Sequence, residues 1–417
     1  MIKKVALANG VRILTEEIPY VRSVAIGIWV RVGSRDELPG QDGITHFIEH
    51  LMFKGTENRT AKELAEALDS VGGQLNAFTS KEYTCYYAKV LDDHLELALD
   101  VLTDMFFNSR FGPNEIEKEK NVVLEEIKMY EDTPDDQVHD LFTSTIWQGH
   151  SLGRPIIGTK ERVMSFSRDD VLNYFNHHYV PTNTVIAVAG SIDHLQVVER
   201  LGKIFGQWSG PPIERQLNRP ESRYEINIKN KDIEQVHLCL GVQALPMEHP
   251  DIYVLHILNS IAGGGLSSRL FQNIREERGL AYSVYSYHSS YQETGFFAVY
   301  AGLSRNNLED TIQLVMEELS NFRNHGVTPE ELTRAKEQLK GSLFLGLENV
   351  SSRMSRLGKT ELCYGRVITP DEIVEKINHV EIEQVRRLAE DLLKPHEFSL
   401  TAIGPMEENL NLTKFLK

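Results

Sequence analysis

Apolar and polar residues change period along this chain, and each change marks an element. Residues 24–32 (VAIGIWVRV) alternate Val, Ile, Ile, Val and Val on one face, the pattern of a half-buried strand. The stretch ITHFIEHLMF then predicts a helix apolar nearly all round, followed by a polar helix over AKELAEALDSVGG. QLNAFTSKEYTCYYAKVL is strand-like on both sides of a Ser-Lys turn. Two helical stretches come next, LDDHLELALDVLTDMFFN and PNEIEKEKNVVLEEIKMYED. After residue 168 follow a short helix, the strand NTVIAVAGS and the helix HLQVVERLGKIFGQW.

The order then returns. Strand QVHLCLGV, helix DIYVLHILNSIAGG, strands LAYSVYSYHS and GFFAVYAGL, two helices and the terminal strand FSLTAIG repeat the first half. Letters repeat as well: VLDDHLELALDVLTDMFFN is similar to GLSRNNLEDTIQLVMEELSNF, and FGPNEIEKEK to GVTPEELTRAKEQ. The expected fold is α+β, two homologous α/β sandwich domains from an internal duplication, each an antiparallel-rich sheet with helices packed on it. SGPPIERQLNRPESR, about 209–223, holds three prolines and little apolar content. It is the expected linker, giving domains 1–210 and 223–417 joined by 211–222.

Composition narrows the class. With 417 residues, 41% hydrophobic and 25% charged, the chain reads as a soluble globular protein too long for one ordinary core. A formal charge of −16 argues against nucleic-acid binding, which needs a basic face. Cys85, Cys239 and Cys363 are odd in number and widely spaced, which predicts free thiols in a reducing compartment. The start MIKKVALANGVRILTEEIPY has no signal-peptide core, and no stretch approaches the roughly 20 apolar residues of a membrane span. Cytoplasmic residence is the expectation.

The candidate chemistry sits in His46-Phe47-Ile48-Glu49-His50. On a helix Glu49 falls about 60° to one side of His46 and His50 about 40° to the other, so all three share one face. A lone histidine in such surroundings is usually a satisfied core residue. Two imidazoles and a carboxylate together are costly to bury unless something binds them. Zinc is the expected partner, ligated by neutral imidazoles with the carboxylate beside it, in the inverse of the His-Glu-x-x-His order. A third ligand must come from elsewhere. In PNEIEKEKNVVLEEIKMYED the positions Ile116, Val123, Ile127 and Tyr130 define a core face. Measured from Ile116, Glu119 lies near about −60° and Glu126 near about −80°, on the edge of that face, whereas Glu125 lies near about 180° and faces water. Glu119 and Glu126 are thus the inward carboxylates.

These motifs resemble the inverzincin metallopeptidases: pitrilysin, insulysin and the mitochondrial processing peptidase. GITHFIEHLMFKGT, GGQLNAFTSKEYTCYY, EIEKEKNVVLEEI, LGRPIIGT and GGGLSSRLFQNIREERGLAYSVYS carry the likeness, which covers essentially the whole chain and points to the short bacterial branch. The resemblance implies a processing-peptidase-like fold and a zinc endopeptidase with one Zn2+ per protomer. It makes His46, His50 and Glu126 the ligands, Glu49 the general base and Glu119 a hydrogen-bond partner of a ligand histidine. It places an extended peptide beside Asn76 and Ala77, with Arg275 and Tyr282 as the substrate-binding pair and Gly263, Gly264 and Gly265 in a glycine-rich loop. That loop is no phosphate loop, since no Gly-Lys-Ser/Thr ends it and no strand immediately precedes it. The branch works as a dimer, expected here to be a homodimer with Arg275 and Tyr282 from the opposite protomer, whereas some of its members pair with an inactive partner. Peptides or unfolded polypeptides are the expected substrates, with no nucleic acid or membrane. The family also contains non-catalytic peptide-binding or structural subunits, which lose the ligands or the base.

Overall fold

The structure, a computed structural model, describes residues 1–407 and 410–416. The first half of the chain forms β1 (Ile2–Ala6), β2 (Arg12–Glu17), β3 (Ser23–Val30), α1 (Ile44–Leu51), α2 (Ala61–Asp69), β4 (Gln74–Thr79) and β5 (Thr84–Leu91). It continues with α3 (Leu95–Asn108), α4 (Pro113–Glu131), α5 (Pro134–Ile146), α6 (Lys160–Ser165), α7 (Arg168–His178), β6 (Thr184–Gly190) and α8 (His194–Phe205). The second half forms β7 (Ile226–Asn230), β8 (Val236–Ala244), α9 (Ile252–Gly263), β9 (Ala281–Ser290) and β10 (Gly295–Leu303). Then come α10 (Leu308–His325), α11 (Pro329–Gly346), α12 (Val350–Tyr364), α13 (Pro370–Asn378), α14 (Ile382–Leu392) and β11 (Ser399–Gly404). The sequence pattern predicted two helices before the last strand; five stand there.

The strands build two sheets with the same plan. One runs β1-β2-β6-β3-β5-β4 and the other β7-β11-β8-β10-β9. β2 pairs β6 in parallel, as β7 pairs β11, and every other pair is antiparallel. Five strands correspond one to one, and the first sheet adds β1. The duplicated mixed fold expected from the letters is therefore present, with β4 and β9 at matching edges.

The chain folds into two compact units that are interleaved in sequence. The first holds residues 1–128, 154–216 and 345–368; the second holds 129–153, 217–344 and 369–417. In the first unit one face of the sheet packs on α1, α2, α3, α4, α7 and α8, around Ile26, Ile28, Phe47, Leu102 and Phe106. The other face is covered by α12, whose Val350, Met354 and Leu357 pack on Trp29, Cys85 and Ala187. A Cβ at Gly358 would meet the Trp29 ring at 2.3 Å, so only glycine permits this approach. In the second unit α9, α10 and α14 pack one face, and α5 covers the other through Val138, Phe142 and Ile146 on Cys239, Ala298 and Ile403. Each half of the sequence thus lends one helix to the other half's sheet.

The proline-bearing segment around 209–223 is anchored rather than loose at its first part. Arg215 forks onto both carboxylate oxygens of Asp36 at 2.7 Å and donates to the Arg31 and Glu82 carbonyls. Within this segment the chain passes from the first unit to the second between Gln216 and Leu217. All three cysteines are free thiols. Among the described residues no helix is long and apolar enough to cross a membrane.

Candidate metal centre and active site

The helix that carries the two histidines is held at both its end and its back. The buried Glu37 carboxylate accepts from the Gly43 and Thr45 amides, two donors that the first turn of α1 would otherwise leave unpaired. Thr45 shares a hydrogen bond with the Tyr174 hydroxyl at 2.8 Å. Phe47, Ile48 and Leu51 are fully buried on one side, which leaves His46, Glu49 and His50 on the other.

α4 brings the carboxylates. Glu119 is buried, Glu126 half-buried, and Glu125 exposed and paired with Lys128. His50 Nδ1 bonds Glu119 Oε1 at 2.9 Å, and Lys54 Nζ meets the other oxygen of the same carboxylate at 2.9 Å. That contact directs His50 Nε2 towards Glu126 Oε2, 3.3 Å away, and His46 Nε2 lies 3.8 Å from Glu126 Oε1. One donor atom from each of His46, His50 and Glu126 lies within 4.8 Å of the other two.

Two buried polar atoms of this cluster, His46 Nδ1 and Glu126 Oε2, have no hydrogen-bond partner among the described residues. Glu126 Oε2 is within ion-pair reach of His50 but misaligned for a hydrogen bond. A buried carboxylate oxygen without a donor is costly, and a cation between the three groups relieves it. Tetrahedral zinc with bonds of about 2.0–2.2 Å sets neighbouring donors roughly 3.4 Å apart, close to the separations present. Two imidazoles and a carboxylate are also a donor set zinc takes. The residues fit the ion.

The two histidines of the metal-free site differ in protonation. Burial, with His50 alongside, pushes His46 down to about 4, so its imidazole is neutral near pH 7. Burial acts on His50 in the same sense, but the hydrogen bond to Glu119 and the nearby charge of Glu126 outweigh it and raise His50 to about 9. The His50 contact holds the Glu126 carboxyl below its ordinary range. Burial raises Glu49, opposed by a hydrogen bond from Thr79 Oγ1 to Glu49 Oε2 at 2.5 Å.

Thr79 ends β4, and β4 is an edge strand. Asn76 is exposed on it, and its Oδ1 accepts from the Ala77 amide at 2.8 Å. The structure therefore brings His46, Glu49, His50, Glu119, Glu126 and the β4 edge together in the first unit. Arg275, Tyr282 and the three glycines belong to the second unit. There the Arg275 guanidinium lies 5.5 Å from the centre of the Tyr282 ring and 4.8 Å from that of Phe271. Tyr282 is 76% exposed. Three residues of the site went unread in the sequence: Lys54, Thr79 and Glu37. Lys54 follows His50 at helical i+4 spacing, and Thr79 follows Ala77 at strand i+2 spacing, which are the only signals either residue offers.

Residues 12–160 match the family described as insulinase (peptidase family M16), and residues 165–339 match the peptidase M16 inactive domain. The chain belongs to peptidase family M16. It is 50% identical to the uncharacterised zinc protease YmxG of Bacillus subtilis, covering 97% of this chain and 98% of that protein. An uncharacterised zinc protease of Streptomyces coelicolor is 42% identical over 98% of this chain and 90% of its own length. Among solved structures, a protease from Helicobacter pylori matches with a TM-score of 0.90 at 22% identity, covering 97% of this chain and 99% of that one. A peptidase M16 inactive domain from Pseudomonas fluorescens matches with a TM-score of 0.91 at 19% identity, covering 99% and 100%. At these identities the two structures speak for the fold. The sequence relatives make this a zinc-protease-like chain over its whole length.

Proposed function

We propose that the protein is a zinc-dependent endopeptidase acting on unfolded peptides or short polypeptides. The observation that carries this reading is that His46 and His50, on one face of α1 with Glu49, converge on Glu126 of α4, whose buried Oε2 has no hydrogen-bond donor among the described residues. Bound zinc supplies Lewis acidity, polarising the scissile carbonyl and an attacking water. Glu49 takes the proton of that water and returns it to the leaving amine, a task suited to a carboxyl that burial raises above its ordinary range. Glu119 orients His50 through Nδ1, which keeps the Nε2 lone pair for the ion.

The substrate lies extended along the open edge of β4, its backbone bonding at Asn76 and Ala77 in place of a seventh strand. Arg275 donates to a peptide carbonyl and Tyr282 to the oxyanion, both supplied by the opposite protomer of a homodimer, with Gly263–Gly265 also meeting the peptide. One zinc per protomer and cytoplasmic residence complete the proposal.

The match of residues 165–339 to an inactive-domain model supports a second reading, a non-catalytic peptide-binding or structural subunit. A quenched-fluorescence peptide separates the two. Zinc-loaded protein alone is expected to cleave it, a chelator to stop cleavage, and added zinc to restore it. Binding without cleavage by the zinc-loaded protein selects the second reading.

A further inference from the structure

The second unit keeps the outline of the metal site but, of its donors, only one histidine. Setting Gly265 against Gly55 places His256, Asn259 and Ser260 of α9 where α1 has His46, Glu49 and His50. Setting Pro329 against Pro113 places Ala335 and Ser342 where α4 has Glu119 and Glu126, and Gln338 where it has Val122. The helices still meet, through a different bond. Buried Ser260 donates from Oγ to Gln338 Oε1 at 2.9 Å, and Gln338 Nε2 donates to the Gly264 carbonyl at 3.0 Å. The carbonyl accepts only, so it fixes which end of the amide faces it.

The glycine-rich loop is held at successive points. The Ser268 amide donates to the Gly265 carbonyl at 3.0 Å, and Gln272 Nε2 donates to the Leu266 carbonyl at 2.6 Å. Three consecutive carbonyls are thereby engaged, whereas the amides of Gly265, Leu266 and Ser267 meet no acceptor among the described residues. Close packing explains the glycines. A Cβ at Gly263 would stand 2.2 Å from the Ser286 nitrogen, and one at Gly265 would stand 2.9 Å from Gln338 Nε2. This loop is braced, not loose.

We propose that Gln338 is a positioning residue that ties the loop at Gly263–Ser268 to α11, so that the loop offers N–H donors to the main-chain carbonyls of a peptide. The part of this inference that concerns the peptide rests on the reading that the loop meets substrate; the brace itself does not. The helix pair that holds a metal in one unit holds a recognition loop in the other, with Ser260 and Gln338 in place of ligands.

Two variants test it in the full-length zinc-loaded protein. Gln338→Ala removes both bonds; Gln338→Glu keeps an acceptor for Ser260 but loses the donor to Gly264. Residue-resolved amide exchange at Gly264 and Ser268 is expected to accelerate about fivefold in both variants, what one net hydrogen bond confers. For a quenched peptide KM is expected to rise by a similar factor, with kcat within about twofold of wild type and zinc content unchanged. Wild-type exchange in both variants, or in Gln338→Glu alone, overturns the brace. Accelerated exchange with an unchanged KM upholds the brace and removes the loop from the substrate site.

Discussion

In the first unit α1 brings two imidazoles towards a carboxylate of α4 beside the edge strand β4; in the second, α9 packs beside the edge strand β9 and ends in glycines. The sheets share strand order and the place of their one parallel pair, so the difference lies in side chains and not in architecture. His50 becomes Ser260, Glu49 becomes Asn259, and the two α4 carboxylates become Ala335 and Ser342. A metal site needs convergent donors with a partner that orients them. On the proposed assignment, losing the carboxylates of α4 removes one ligand and the orienting group of another at once, so no single change restores the second site. The scaffold accommodates either outcome: both cores are apolar, built on Phe47, Leu102 and Phe106 in one unit and Leu258, Ile312 and Phe322 in the other, and Ala335, at the place of Glu119, joins the second.

The comparison can be broken most sharply at the base. Glu49→Gln is expected to keep its zinc and lose about a thousandfold in kcat, whereas Asn259→Ala in the matching position leaves kcat close to wild type. Equal losses in steady-state assays would mean that the second helix shares in the chemistry. Next in size is Lys54, which pins the oxygen of Glu119 that His50 does not use. Lys54→Met is expected to weaken zinc binding about tenfold in a competition titration with a chromophoric chelator. An unaltered affinity would leave Lys54 as a surface charge.

A further difference lies in how each site sits in the fold, and here the sequence speaks unevenly. β3, β6, β8 and β10 are legible because strands buried on both faces or half-buried carry dense Val, Ile and Phe patterns. The motif helix and the inward edge of α4 are legible because a helix repeats every 3.6 residues. α5 and α12 are not. Their buried stripes, Val138-Phe142-Ile146 and Val350-Met354-Leu357, are one residue wide in chains rich in Ser, Thr and charge, and nothing local says whose sheet they cover. β7 hides behind the prolines of the segment before it, since its pattern is half exposed. Thr79 is silent for a similar reason: its role depends on Glu49, thirty residues away in sequence and adjacent only in space.

Thr79 sharpens the comparison at smaller scale. Thr79→Val is expected to lower kcat about fivefold with KM and zinc unchanged, and Thr79→Ser to retain wild-type rates, because the hydroxyl alone holds Glu49. A fall in both variants would point to packing instead. The metal-free site also titrates in a defined sense. His50 is raised from 6.5 to about 9, so it is protonated near pH 7 and must lose that proton to ligate. Zinc affinity is therefore expected to climb with pH up to about 9 and level off above it, with about one proton released per ion at neutral pH, read by calorimetry in buffers of different ionisation enthalpy. A flat affinity across that interval would contradict the coupling of His50 to its carboxylates.

The central claim is that one unit holds a metal and its duplicate does not. Metal analysis of the dialysed wild type beside Glu126→Ala tests it directly. One zinc per chain in the wild type and none in the variant is the expected result; two per chain, or zinc retained without Glu126, contradicts it.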